Sequence, residues 1–163
     1  MLFRSVDDDG VTFKSHLDGS MHRFTPEISM QVQHQIGADI MFAFDECTTL
    51  LDSREYQEQS LVRTHEWAQR CVQEHQRLTR ERSHRPYQAL FGVIQGAQYE
   101  DLRKKAASDL GSLHEANTEF DGFGIGGALD DVDERRWQVV FIGQFHAIFL
   151  SSKSASIFPT LLR

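Results

Sequence analysis

Apolar and polar positions alternate at the start of the chain: Val11, Phe13 and Leu17 are interleaved with polar residues up to Asp18-Gly19, and a second extended piece runs Met21-His22-Arg23-Phe24. A period of two closed by a tight, glycine-containing turn predicts a surface β-hairpin. Thr25 then stands as a helix N-cap with Pro26 at the first helical position. Ile28, Val32 and Ile36 recur every four residues, and Gly37 supplies the stop. That short helix feeds an apolar strand from Ile40 to Phe44. From about Arg54 to Arg82 the pattern is helical, with Leu61, Ala68, Cys71, Val72 and Leu78 on one stripe, until Ser83 to Pro86 breaks it. A strand over Ala89 to Ile94 follows. Next come a helix from Tyr99 to about His114 carrying Leu102, Ala106, Leu110 and Leu113 on one face, and a strand from Gly122 to Ile125. Strands separated by helices require crossover connections, so the expected sheet is parallel and the fold class α/β.

After Gly127 the pattern changes. An acidic patch, Asp130 to Glu134, leads into Trp137 to Arg163, where Lys153 and Arg163 are the only charged residues and no helical stripe is clear. Residues 1–136 are therefore read as one α/β unit and 137–163 as a tail of different character. With 163 residues, 40% of them apolar, the chain can form one domain or part of a larger one. A net charge of −7 argues against non-specific coating of nucleic acid. A local basic face could still come from Arg77, Arg80, Arg82 and Arg85, or from Arg103, Lys104 and Lys105; solvated helix surface is the alternative for both. Trp137 to Leu150 is interrupted by polar residues and falls short of the roughly 20 apolar residues of a membrane span, so no membrane partner is expected. The two cysteines, Cys47 and Cys71, show neither C-x-x-C spacing nor an accompanying signal-peptide pattern, which points to a cytoplasmic protein without disulfides. Eight scattered histidines offer no H-x₃-H pair and no Cys–His cluster, so no zinc site is expected.

Chemistry concentrates where apolar runs stop. Asp39 to Cys47 ends in Asp45-Glu46-Cys47, Leu90 to Gly96 ends in Gln95-Gly96, and Phe120 to Gly127 ends in Gly126-Gly127. In a parallel sheet such ends converge on one rim, where ligands bind. Asp45 and Glu46 are adjacent, so in a strand they point opposite ways and one of them is the working residue. A carboxylate can accept two hydrogen bonds side by side, which suits neighbouring N–H donors such as guanine N1 and N2; a capping or turn-forming role is the alternative. The Gln95 amide can donate to a carbonyl such as guanine O6, or simply terminate a strand. Gly126 and Gly127 let a flat ligand approach the backbone, although a bend explains them equally well. Cys47 is given a pocket-lining role at most.

Four blocks taken together, Asp9 to Ser20, Ala43 to Cys47, Leu90 to Gly96 and Gly124 to Gly127, resemble the tRNA-guanine transglycosylase (queuine tRNA-ribosyltransferase) family of bacterial type, over about residues 5 to 128. The resemblance implies a (β/α)₈ TIM barrel, of which this chain would supply a part with an N-terminal β-hairpin. It also implies replacement of the wobble guanine of tRNA by a 7-deazaguanine, preQ1 or queuine, through a covalent tRNA–aspartate intermediate. On that resemblance Asp45 and Gln95 would grip the base edge, Gly127 would donate its backbone N–H beside Gly126, Ala128 would face the base substituent, and Cys47 matches a pocket cysteine. The family's acid/base aspartate, nucleophilic aspartate and zinc ligands have no counterpart in this sequence. The expectation is therefore an incomplete, inactive central fragment without cofactor, in which a frameshift or truncation accounts for the tail. Two alternatives stay open: a non-catalytic tRNA- or base-binding subunit that pairs with a complete homologue, and an unrelated α/β protein that binds another flat polar ligand; a homo- or hetero-dimer is a possible assembly.

Overall fold

A computed structural model describes residues 4–113 and 120–126. The elements, in chain order, are β1 (Arg4–Asp7), β2 (Gly10–Lys14), β3 (Met21–Phe24), α1 (Pro26–Ile36), β4 (Ile40–Phe42), α2 (Arg54–Glu81), β5 (Ala89–Ile94), α3 (Glu100–Gly111) and β6 (Gly122–Ile125). Two sheets result, an antiparallel β1-β2-β3 and a parallel β4-β5-β6. The acidic patch and the tail expected from the sequence lie outside the described residues.

The expected hairpin is one half of the first sheet: β2 and β3 pair as foreseen, and β1 adds a third strand. Arg4–Asp7 carries a single apolar residue, Val6, so alternation could not reveal it. Its turn to β2 is instead encoded by Asp7, whose Oδ1 accepts the N–H groups of Asp9 and Gly10. Gly10 has φ 155°, and a Cβ there would lie 2.1 Å from the Phe24 carbonyl oxygen. Leu17, expected to extend the alternation, is exposed in the connecting turn. The sheet is pinned to α2: Trp67 Nε1 donates to the Asp8 carbonyl at 2.6 Å, and Arg70 forks onto Glu27 at 2.7 and 2.8 Å.

α1 begins and ends where its signals stand. Thr25 Oγ1 accepts the Ile28 N–H, Pro26 opens the helix, and Gly37 closes it in the left-handed region at φ 81°. Its buried face differs from the expected stripe. Pro26, Ser29, Met30 and His34 are buried, whereas Val32 and Ile36 are exposed. Each stands two residues, about 200° of helical rotation, from Pro26, Met30 or His34, so the Ile28, Val32 and Ile36 row is not the one that faces α2. That face is fixed by a buried polar contact, His34 Nε2 to His75 Nδ1 at 3.0 Å.

α2 and α3 cover the same face of the parallel sheet. Met41, Leu90 and Ile94 from the strands join Leu61, Ala68, Cys71 and Val72 of α2 and Leu102, Ala106 and Leu110 of α3 in one cluster, with Leu113 beyond the helix end. The expected stripes of both helices are the buried ones. Strand alternation sends Ile40, Phe42, Phe91, Val93 and Gln95 to the other face. There Phe91 lies over Gly122 and Phe42 over Gly124, each with a ring carbon 2.7 Å from where a Cβ would stand. The bare alternate positions of β6 leave room for rings from β5 and β4.

Candidate functional site

Because β4, β5 and β6 run parallel, their C-terminal ends open on one rim. Past β4 the chain stays anchored: the Ala43 N–H bonds to the Phe91 carbonyl at 2.8 Å, and Phe44 stacks on Trp67 with ring centroids 4.9 Å apart. With Phe44 held in this way, the two carboxylates that follow separate. Glu46 turns to α2, where it is buried, ion-paired to Arg63 and bonded by the Tyr56 hydroxyl at 2.5 Å; its own N–H donates to Thr64 Oγ1. It is a structural acid. The hydrogen bond to Glu46 and then burial push the Tyr56 hydroxyl pKa up.

Asp45 turns to the neighbouring strand end. Its Oδ2 accepts a hydrogen bond from Gln95 Nε2 at 2.5 Å, across 50 positions of sequence. Burial pushes the Asp45 pKa up, and the Gln95 bond offsets that in part. A poorly solvated carboxyl has the most to gain from N–H donors brought by a ligand. Gln95 is 2% exposed, and its Oε1 has no partner among the described residues. Buried acceptors without partners are rare in folded proteins and mark places where a donor belongs.

Gly126 completes this corner. Its N–H bonds to the Ile94 carbonyl at 3.0 Å, and a Cβ there would lie 2.4 Å from Gln95 Nε2 and 2.6 Å from Val93 Cγ1. The Gln95 amide thus rests directly on a residue without a side chain. Gly127 and Ala128 lie outside the described residues. Cys47 is exposed, with its thiol directed at the Thr48 carbonyl at 3.8 Å.

Sequence reading missed Arg103. It appeared only in a surface cluster with Lys104 and Lys105, yet its side chain is buried under the rim and donates to the carbonyls of Ile94, Ala97 and Gly126. Its neighbours are neutralised locally, Lys104 by Glu100 and Lys105 by Asp109. The other basic cluster closes α2, at the end that leads into the start of β5, and so lies away from the rim. Arg77 there pairs with Glu74 and Glu81, and Arg82 donates to the His34 carbonyl. Neither cluster builds a basic face at the rim.

Among the described residues no group of three or more His, Cys, Asp or Glu could hold a metal ion. Burial pushes the Cys71 thiol up to about 12, so it stays protonated at neutral pH. No helix of the described residues is long and apolar enough to cross a membrane.

The structure is that of an α/β protein in which a carboxyl, an amide and a bare backbone position meet at the ends of three parallel strands. The chain belongs to the queuine tRNA-ribosyltransferase family, whose model matches residues 1–152. A relative from Archaeoglobus fulgidus is 46% identical over 124 residues, which is 76% of this chain and 27% of that protein. Proteins named queuine tRNA-ribosyltransferase from Anoxybacillus flavithermus and Fusobacterium nucleatum are 42% and 44% identical over 125 and 124 residues, covering 77% and 76% of this chain and 30% and 31% of theirs. The chain thus spans under a third of the length of these relatives.

Proposed function

We propose that residues 1–136 are a section of a (β/α)₈ barrel that recognises the base in queuine tRNA-ribosyltransferase chemistry, the exchange of the wobble guanine of tRNA for preQ1 or queuine. One observation carries this reading: the Gln95 amide and the Asp45 carboxyl meet at neighbouring strand ends, with the Gln95 Oε1 acceptor without a partner among the described residues. A guanine-type edge presents adjacent N–H donors to a carboxylate and a carbonyl to an amide. To bind it, the Asp45–Gln95 bond opens, Asp45 Oδ2 takes ligand N–H groups, and the freed Gln95 Nε2 donates to the ligand carbonyl. Gly126 leaves room for the ring, and Gly127, Ala128 and Cys47 belong to the same proposed pocket.

The chain's own part in the reaction is recognition. Exchange of a base attached to ribose needs a nucleophile to hold the sugar, and neither aspartate motif implied by the resemblance has a counterpart here. The exposed Ile36, Ile40 and Phe42, with β4 at the margin of the described sheet, favour a second reading in which the chain works beside another copy or a complete homologue.

Calorimetric titration with guanine and preQ1, adenine serving as the control, tests recognition; incorporation of labelled guanine into tRNA tests exchange. Guanine and preQ1 binding without incorporation by the chain alone is expected, with incorporation rising above the homologue's own rate if the second reading holds. Equal binding of adenine would overturn the proposal.

A further inference from the structure

Arg103 is a buried cation with no carboxylate partner among the described residues. It sits in the first turn of α3 and is 6% exposed. Its Nη1 donates to the Ile94 carbonyl at 3.0 Å and to the Gly126 carbonyl at 2.7 Å, and its Nε to the Ala97 carbonyl at 2.9 Å. Nη2 is buried without a partner among the described residues.

Removing a guanidinium from water without a counter-charge is unfavourable, and burial draws the Arg103 pKa down accordingly. An apolar side chain would join helix to strand without that penalty. What the arginine adds is direction: a rigid fork that reaches carbonyls on two strand ends at once, which the single ammonium of a lysine does not reproduce.

The three carbonyls bracket Gln95. Ile94 precedes it, Ala97 stands in the turn after it, and Gly126 is the residue its amide rests on. The bracketed turn is strained, with Gly96 at φ 135° and Ala97 at φ 48°, and it presses on α3 so closely that a Cβ on Gly96 would lie 2.7 Å from the Arg103 backbone nitrogen. Such a turn stays in place only if its surroundings over-determine it.

We infer that Arg103 is a positioning residue for base recognition: by tying the carbonyls of Ile94, Ala97 and Gly126 together, it holds the Gln95 amide over Gly126 and within reach of Asp45. The inference rests on the base-binding reading above and deepens it. Arg103 touches no ligand and acts through Gln95.

The test uses the whole chain and compares Arg103→Lys and Arg103→Gln with Ala106→Gly, a destabilising change on the same helix. Two quantities are read: solvent exchange of the Gln95 side-chain amide protons by NMR without ligand, and guanine affinity by calorimetry. Both Arg103 variants are expected to fold, to speed amide exchange at least tenfold and to raise the guanine Kd at least tenfold. Adding Gln95→Ala to Arg103→Lys should then cost less than a further threefold. Ala106→Gly should lower the thermal midpoint and leave both quantities within twofold of wild type. The inference is overturned if Arg103→Lys stays within twofold of wild type, if Ala106→Gly shifts both quantities as far, or if neither Arg103 variant folds while Ala106→Gly does. A wild type that fails to bind guanine, alongside faster amide exchange in Arg103→Lys, overturns the base reading and leaves the positioning role standing.

Discussion

Gln95 Nε2 lies 2.5 Å from Asp45 Oδ2, joining the ends of two parallel strands by a single charge-assisted contact. Each group satisfies a hydrogen-bonding position of the other. On the proposed reading, base binding exchanges this one hydrogen bond for several.

Asp45 is held at a cost. Its folded pKa is raised above the unfolded value, so between those two values the folded state binds the extra proton and stability falls as pH rises. Asp45→Asn should therefore be as stable as wild type below about pH 4 and more stable at pH 7. Urea melts at both pH values check this, and lower stability of the variant at pH 7 would contradict it.

The paired histidines act in the opposite sense. Burial, followed by the neighbouring His34, holds the His75 pKa down to about 4; burial, with Arg82 nearby, also lowers that of His34. Neutral rings can share one N–H···N bond, whereas two imidazolium ions cannot. Stability from this pair is fully present above the unfolded pKa of about 6.5 and is lost as pH falls toward 4, by at most roughly 3 kcal/mol for His75. His75→Gln should flatten that part of the stability profile in pH-dependent melts. A wild-type profile without any fall between pH 6.5 and 4 would count against the buried pair.

Two glycines at the rim should respond differently to alanine. At Gly126 the added methyl meets the end of Gln95 and the stiff Val93 Cγ1, so Gly126→Ala should weaken guanine binding about tenfold or more and lower the melting temperature less than Gly96→Ala does. At Gly96 it meets α3 backbone at a φ that alanine resists, and Gly96→Ala should destabilise by about 1–3 kcal/mol or more. Titration and thermal melts on the two variants separate these outcomes.

Glu46 should prove structural. It is 4% exposed and paired with Arg63, so Arg63→Met leaves a buried charge unanswered and should cost about 3–5 kcal/mol. Glu46→Gln keeps the Tyr56 contact and should cost less. Guanine affinity of the folded fraction should be unchanged in both.

Much of this was legible in the sequence because local signals agreed. Thr25, Pro26 and Gly37 bound α1, and the stripes of α2 and α3 are the ones buried in the core. Asp45 and Gln95 stood out because polar residues ended apolar runs; the separation of Asp45 from Glu46 was expected from strand alternation, although β4 ends at Phe42 and the two residues follow it. Three features were hidden for physical reasons. β1 has one apolar residue and is set by an Asp turn. The buried face of α1 follows a polar contact, His34 to His75, that a hydrophobic pattern does not register. Arg103 reads as surface charge because what buries it is a set of backbone carbonyls, and these leave no mark on residue type.

The most direct measurement is a double-mutant cycle for guanine binding with Asp45→Ala, Gln95→Ala and the pair, read by calorimetry. Loss of a charged hydrogen-bonding group should cost Asp45→Ala about 1.5–3 kcal/mol, and two residues gripping one edge should couple by about 0.5 kcal/mol or more. Additive losses, or wild-type affinity in Asp45→Ala, would contradict a shared base site.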